Sequence, residues 1–235
     1  MNLQQVGLST HTKRHTCDDD DDNSTSATAG QVENTLQGDG WQVTYFFDTG
    51  DDCIAIKSGR NADGRRIGVA SENIVIRGCQ MRAGHGGIVI GSEISGGARN
   101  IFAENCHMSS PDLERGLRIK TNSVRGGLIE HLRYRNILIG QVKDALVINF
   151  YYEEGDAGEH DPTVRDVVIE NLLCDSAERV FQVRGFDRKK IEGLRLTNVH
   201  VLKAEQIGVM QNVEGLELEG VSINGRVVHE IADEG

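Results

Sequence analysis

The chain has 235 residues, of which 38% are hydrophobic and only 5% aromatic, with 2 Pro and 28 Gly; this mixture disfavours a helical globule and suits many short strands joined by tight turns. A formal net charge of -11 offers no basic footprint for phosphate, which argues against general nucleic-acid binding, and no run of about 18 apolar residues marks a membrane span. Five Cys without a C-x-x-C pair indicate neither a zinc site nor a full disulfide framework.

Residues 1–40 are polar and carry the run Asp18 to Asp22, followed by Asn23-Ser24-Thr25-Ser26. Such a stretch cannot bury enough apolar surface to order itself, so it is expected to be poorly ordered, with residues 41–235 as the folded domain. It contains no apolar stretch of the kind a signal peptide has.

Beyond it, six segments repeat one pattern: an alternating apolar pair, usually Asn or Gly, then another alternating apolar pair. Their first apolar residues are Ile74, Ile101, Leu132, Val167, Leu194 and Leu216, at spacings of 27, 31, 35, 27 and 22 residues. Alternation means side chains pointing in and out by turns, as in a half-buried strand. Asn or Gly between the halves suits a corner taken through left-handed backbone. A sandwich of hairpins would want two-residue turns between antiparallel neighbours. These segments instead stack like with like, as in an all-β solenoid.

Between them lies a second set of strands, Cys53 to Lys57, Gly87 to Gly91, Gly116 to Lys120 and Ala145 to Asn149. Their apolar residues Ile56, Ile90, Ile119 and Ile148 are 34, 29 and 29 apart, one coil each. The same logic puts Cys79 and Cys106 at equivalent interior positions, where they are expected as an apolar stack rather than a disulfide.

Polar residues flank the second set at coil spacing. Asp51 and Asp52 precede the first strand, and His85 precedes the next, 33 residues after Asp52. Arg118 follows His85 by 33 residues, and Arg118 and Lys120 point outward because Leu117 and Ile119 point inward. Tyr152 follows Lys120 by 32. Each part has a bland explanation: Asp-Asp after Gly as a turn or calcium pair, Gly-His-Gly as a turn, Arg-Ile-Lys as a solvated face. Their order and spacing together place them on one outer face of adjacent coils.

Gly50-Asp51-Asp52, Gly84-His85-Gly86 and Arg118-Ile119-Lys120 resemble three of the four signature motifs of the polygalacturonases of glycoside hydrolase family 28. Phe47 to Asn61 and Gly91 to Gly97 resemble its exo-acting bacterial and plant branch, and the likeness runs from about Trp41 to Val228. The resemblance implies a single-stranded right-handed parallel β-helix of the pectin-lyase-like kind. It also implies an inverting hydrolase of α-1,4-galacturonosidic bonds in pectin. Asp51 would be the general acid and Asp52 would help activate water, and repulsion between the two carboxylates is expected to raise one pKa. His85 would tune the acid, Arg118 and Lys120 would clamp the galacturonate carboxylate, and Tyr152 would shape the scissile subsite, a role shared with Tyr151. No metal or cofactor is expected. The implied partner is a pectic polysaccharide or oligogalacturonide, acted on by a monomer, and members of the family are usually secreted or periplasmic.

The family's first motif, Asn-Thr-Asp, supplies a third carboxylate roughly one coil before the Asp-Asp pair. One coil before Asp51 falls near Gly30, between Thr25 and Val32, where no such motif stands; Asp39 is too close, and Asp18 to Asp22 sits in a charge run. The chain therefore resembles a C-terminal portion of the family, and low turnover is expected of it. A non-catalytic polygalacturonate-binding β-helix and a pectate lyase are the competing functions.

Overall fold

The computed structural model describes residues 29–37 and 40–231, with side chains from Tyr45 onward. Residues 1–28, 38 and 39, which hold most of the segment expected to be poorly ordered, lie outside the described residues. The remainder of that segment forms strand β1 (Ala29–Gln37), an antiparallel hairpin partner of β2 (Gly40–Asp48).

From β2 onward almost every pairing is parallel, and the chain coils as a parallel β-helix. The next elements are β3 (Ile54–Ile56), helix α1 (Asn61–Ile67), β4 (Ser71–Arg77), β5 (Cys79–Ala83) and β6 (Ile88–Gly91). They are followed by β7 (Ala98–Met108), β8 (Arg115–Lys120), β9 (Leu128–Asn149), β10 (Thr163–Arg184) and β11 (Ile191–Gln211). Short strands β12 (Val213–Glu214), β13 (Glu217–Glu219), β14 (Ser222–Ile223) and β15 (Arg226–Val227) finish the last coil.

The register follows the repeats. Ile74, Ile101, Leu132, Val167 and Leu194 pair in succession through β4, β7, β9, β10 and β11. On a second side Ile56, Ile90, Ile119 and Ile148 pair through β3, β6, β8 and β9. These residues fill the interior; Ile90, Ile101, Ile119, Leu132, Ile148 and Leu194 are each 0–2% exposed. Cys79 and Cys106 are buried free thiols in that stack.

The corners explain why Asn recurs. Asn105, Asn136, Asn171 and Asn198 all have φ between 52° and 55°, a left-handed conformation that Asn tolerates better than most residues. The side-chain amides of Asn136, Asn171 and Asn198 each donate to the side-chain oxygen of the previous coil's Asn, at 3.0, 3.1 and 3.3 Å. A second corner starts with Asn73 and Asn100, 3.0 Å apart. There the ladder continues as His131 with Asp166 at 2.5 Å, both also left-handed. The corner amides thus replace the side-chain packing that a turn forgoes, coil after coil.

Loops and one short helix interrupt the coils between strands. Arg125, whose side chain is 1% exposed, reaches Asn61 of α1 at 2.7 Å, Glu153 at 3.0 Å and Glu154 at 3.1 Å. One buried guanidinium therefore ties the helix to the loop that carries Tyr152.

Candidate active site

The Asp pair sits where β2 gives way to β3. Thr49 Oγ1 donates to the Asp51 carbonyl at 2.7 Å, and the Asp52 amide donates to Asp51 Oδ1 at 2.7 Å. That turn sends the two carboxylates to opposite environments. The Asp51 side chain is 79% exposed, and that of Asp52 is 3% exposed.

The Gly residues around His85 are there because of this turn. A Cβ on Gly84 would lie 2.3 Å from the Asp51 carbonyl oxygen, and one on Gly86 would lie 2.5 Å from a Val89 methyl. Two glycines thus let the His85 turn close over the Asp turn, with the His85 amide donating to the Asp51 carbonyl at 3.1 Å. His85 Nδ1 then comes within 3.3 Å of Asp51 Oδ1.

One rung further, β8 presents Arg118 and Lys120. Lys120 Nζ is 2.8 Å from Asp52 Oδ2, and an Arg118 terminal nitrogen is 3.6 Å from Oδ1. Burying a carboxylate is costly unless it is paired, and here two cations hold it. The trio keeps one net positive charge. Tyr152 lies over both cations, its ring centroid 5.4 Å from Arg118 Cζ and 5.3 Å from Lys120 Nζ. Asp52 Oδ1 and Arg118 Nε are buried yet make no hydrogen bond within the protein.

The structure thus brings all six expected residues, Asp51, Asp52, His85, Arg118, Lys120 and Tyr152, to one outer face. A cavity of about 410 Å³ opens there, lined by five of the six, with Asp52 beneath. Sequence reasoning passed over Glu114, Arg115 and Glu153, which also line it, and quoted Lys57 and Glu93 only as part of a family likeness. Lys57 and Glu93 pair at 2.7 Å on one rim. Arg115 pairs with Glu114 on the other and donates to the His85 carbonyl at 3.3 Å. None of these carries a spacing signal of its own.

Electrostatics at Asp51 run against the expected repulsion. Partial burial pushes its carboxyl up, but the Asp52 amide and the charges of Lys120, His85 and Lys57 pull harder, and it ends below the usual carboxylate range. The neighbouring Asp52 charge is offset by its own two cations, so the like-charge effect is lost. Burial pushes the Tyr152 phenol up, and nearby Glu153 adds to this. Among the described residues no group of His, Cys, Asp and Glu is arranged to hold a metal ion.

The family model for glycosyl hydrolases family 28 matches residues 39–223. The chain belongs to this family. Among curated relatives, a probable polygalacturonase of Vitis vinifera is 25% identical over 72% of the chain and 36% of its own length. A polygalacturonase of Ralstonia nicotianae is 29% identical over 71% of the chain and 32% of its own length. The chain therefore spans about a third of these relatives. A hyperthermoactive exopolygalacturonase from Thermotoga maritima superposes with a TM-score of 0.68 and 34% identity, covering 80% of this chain and 43% of that one. The family 28 match covers all three motif rungs, Asp51-Asp52, His85 and Arg118 with Lys120.

Proposed function

We propose that this family 28 chain hydrolyses α-1,4-galacturonosidic bonds of pectic polysaccharide with inversion. The observation that carries the proposal is the pairing of an exposed Asp51–His85 couple with a buried Asp52 held by Lys120 and Arg118, on three adjacent rungs. The net positive charge of the buried trio and the ring of Tyr152 form a seat for one galacturonate carboxylate. Asp51, the accessible carboxyl, donates its proton to the glycosidic oxygen. Asp52 Oδ1, free of hydrogen bonds within the protein, accepts a proton from the attacking water on the opposite face. A substrate carboxylate on Lys120 offsets one of the charges that depress Asp51, so binding favours the protonated acid. Likeness to the Thermotoga maritima enzyme favours exo-acting cleavage.

The test is prolonged incubation with polygalacturonate, following reducing ends and, by proton NMR, the anomer first formed. The expected product is the β-anomer from an α-linkage. An α-anomer first, or an unsaturated product that depends on calcium, would overturn the mechanism. Binding with no cleavage at any pH would favour a polygalacturonate-binding module.

A further inference from the structure

The outward row that begins at Lys120 continues past the site. Lys120 pairs in register with Asn149, Asn149 with Arg184, and Arg184 with Gln211. At roughly 4.8 Å per rung, Arg184 stands about 10 Å along the coil axis from Lys120, farther than a single sugar ring reaches. On these later rungs opens a hollow of about 600 Å³, larger than the cavity of about 410 Å³ at Asp51.

The charged side chains lining that hollow are Arg179 and Arg184, with Gln182, Gln206 and Gln211 between them. Its floor includes Gly208, at φ +84°, where a Cβ would lie 1.9 Å from the Phe181 carbonyl oxygen. A smaller hollow of about 220 Å³ lies between them, with Arg115 in common with the site cavity and Arg179 and Gln206 in common with the large hollow. Glu178 and Glu205 stand on its rim. Within it, Asp144, 5% exposed, lies 3.7 Å from Arg115 Nε and 2.6 Å from Arg179 Nε. This repeats the device at Asp52: a buried carboxylate between two cations.

Arg184 is oriented in advance. Its Nε donates to Gln211 Oε1 at 3.1 Å, and its Cζ lies 4.8 Å from the centroid of Tyr151, a ring that is 39% exposed. The two terminal nitrogens have no protein partner among the described residues. A guanidinium fixed in plane with its outer edge free matches a carboxylate bidentately.

We propose that Arg184, with Gln182 beside it, is a second uronate subsite that takes the carboxylate of a more distant unit of the same oligogalacturonide held by Arg118 and Lys120. The inference rests on the function proposed above and extends it to a preference for longer chains. Calorimetric titration of the full chain with mono-, tri- and pentagalacturonate tests it. Arg184→Ala is expected to weaken the pentamer by about tenfold, the worth of one charge-assisted fork, and to leave the monomer unchanged. Arg184→Lys keeps the charge without the fork and is expected to recover part of the loss; if the Ala variant folds poorly, the Lys variant decides alone. Lys120→Met is expected to weaken every length. Pentamer binding by both Arg184 variants equal to that of the parent chain, or equal losses at every length, would overturn the subsite while leaving the catalytic proposal standing. If the parent chain binds no length at all, both fall.

Discussion

Asp51→Asn is expected to slow the release of reducing ends from polygalacturonate by at least about a hundredfold, the scale of a lost general acid. Folding should be untouched. The side chain is 79% exposed, and Asn keeps the oxygen that accepts the Asp52 amide. Surface changes of that kind stay within about 0.5 kcal/mol. A pH profile separates this role from a loss of binding. The working form of Asp51 is the protonated one, and its carboxyl lies below the usual range. On the neutral side kcat/KM should therefore rise as pH falls, by up to about tenfold per unit, and this limb should vanish in Asp51→Asn. A variant that retains both the rate and the limb would remove Asp51 from the acid role.

Asp52→Ala is expected to have the largest effect on stability. Asp52, Lys120 and Arg118 have side chains 3%, 8% and 10% exposed, so removing the carboxylate leaves two cations buried without their counter-charge. Breaking a buried pair from one side costs about 3–5 kcal/mol. For a chain of this size that lowers the melting temperature by something on the order of 10 °C. If charge is the cause, adding Lys120→Met to Asp52→Ala should restore part of the loss, because one unpaired cation goes with it. An unchanged melt for Asp52→Ala would mean that the trio is not held together as the distances indicate.

The coil register was legible in the sequence because interior positions recur at coil length. Ile56, Ile90, Ile119 and Ile148 stack as their spacing implies, and the motif residues beside them share a face for the same reason. What escaped detection has no period. Arg125 looks like a surface arginine until Asn61, Glu153 and Glu154 close around it. Glu114 enters the site from the loop before β8 and Arg115 from the first residue of that strand, where no motif marks them. The depressed carboxyl of Asp51 was not legible, because an adjacent Asp is visible in the sequence, whereas Lys57, His85 and Lys120 converge only in space. Likewise, nothing beside Arg184 in the sequence marks it as lying in the Lys120 row.

The most direct measurement is a crystal structure of the Asp51→Asn chain with trigalacturonate bound. The expected result is one sugar carboxylate on Arg118 and Lys120, with the neighbouring glycosidic oxygen within hydrogen-bonding distance of the side chain at position 51. Trigalacturonate seated on another face, or lying in the cavity with its linkage turned away from that side chain, would contradict a hydrolytic site assembled from three successive rungs.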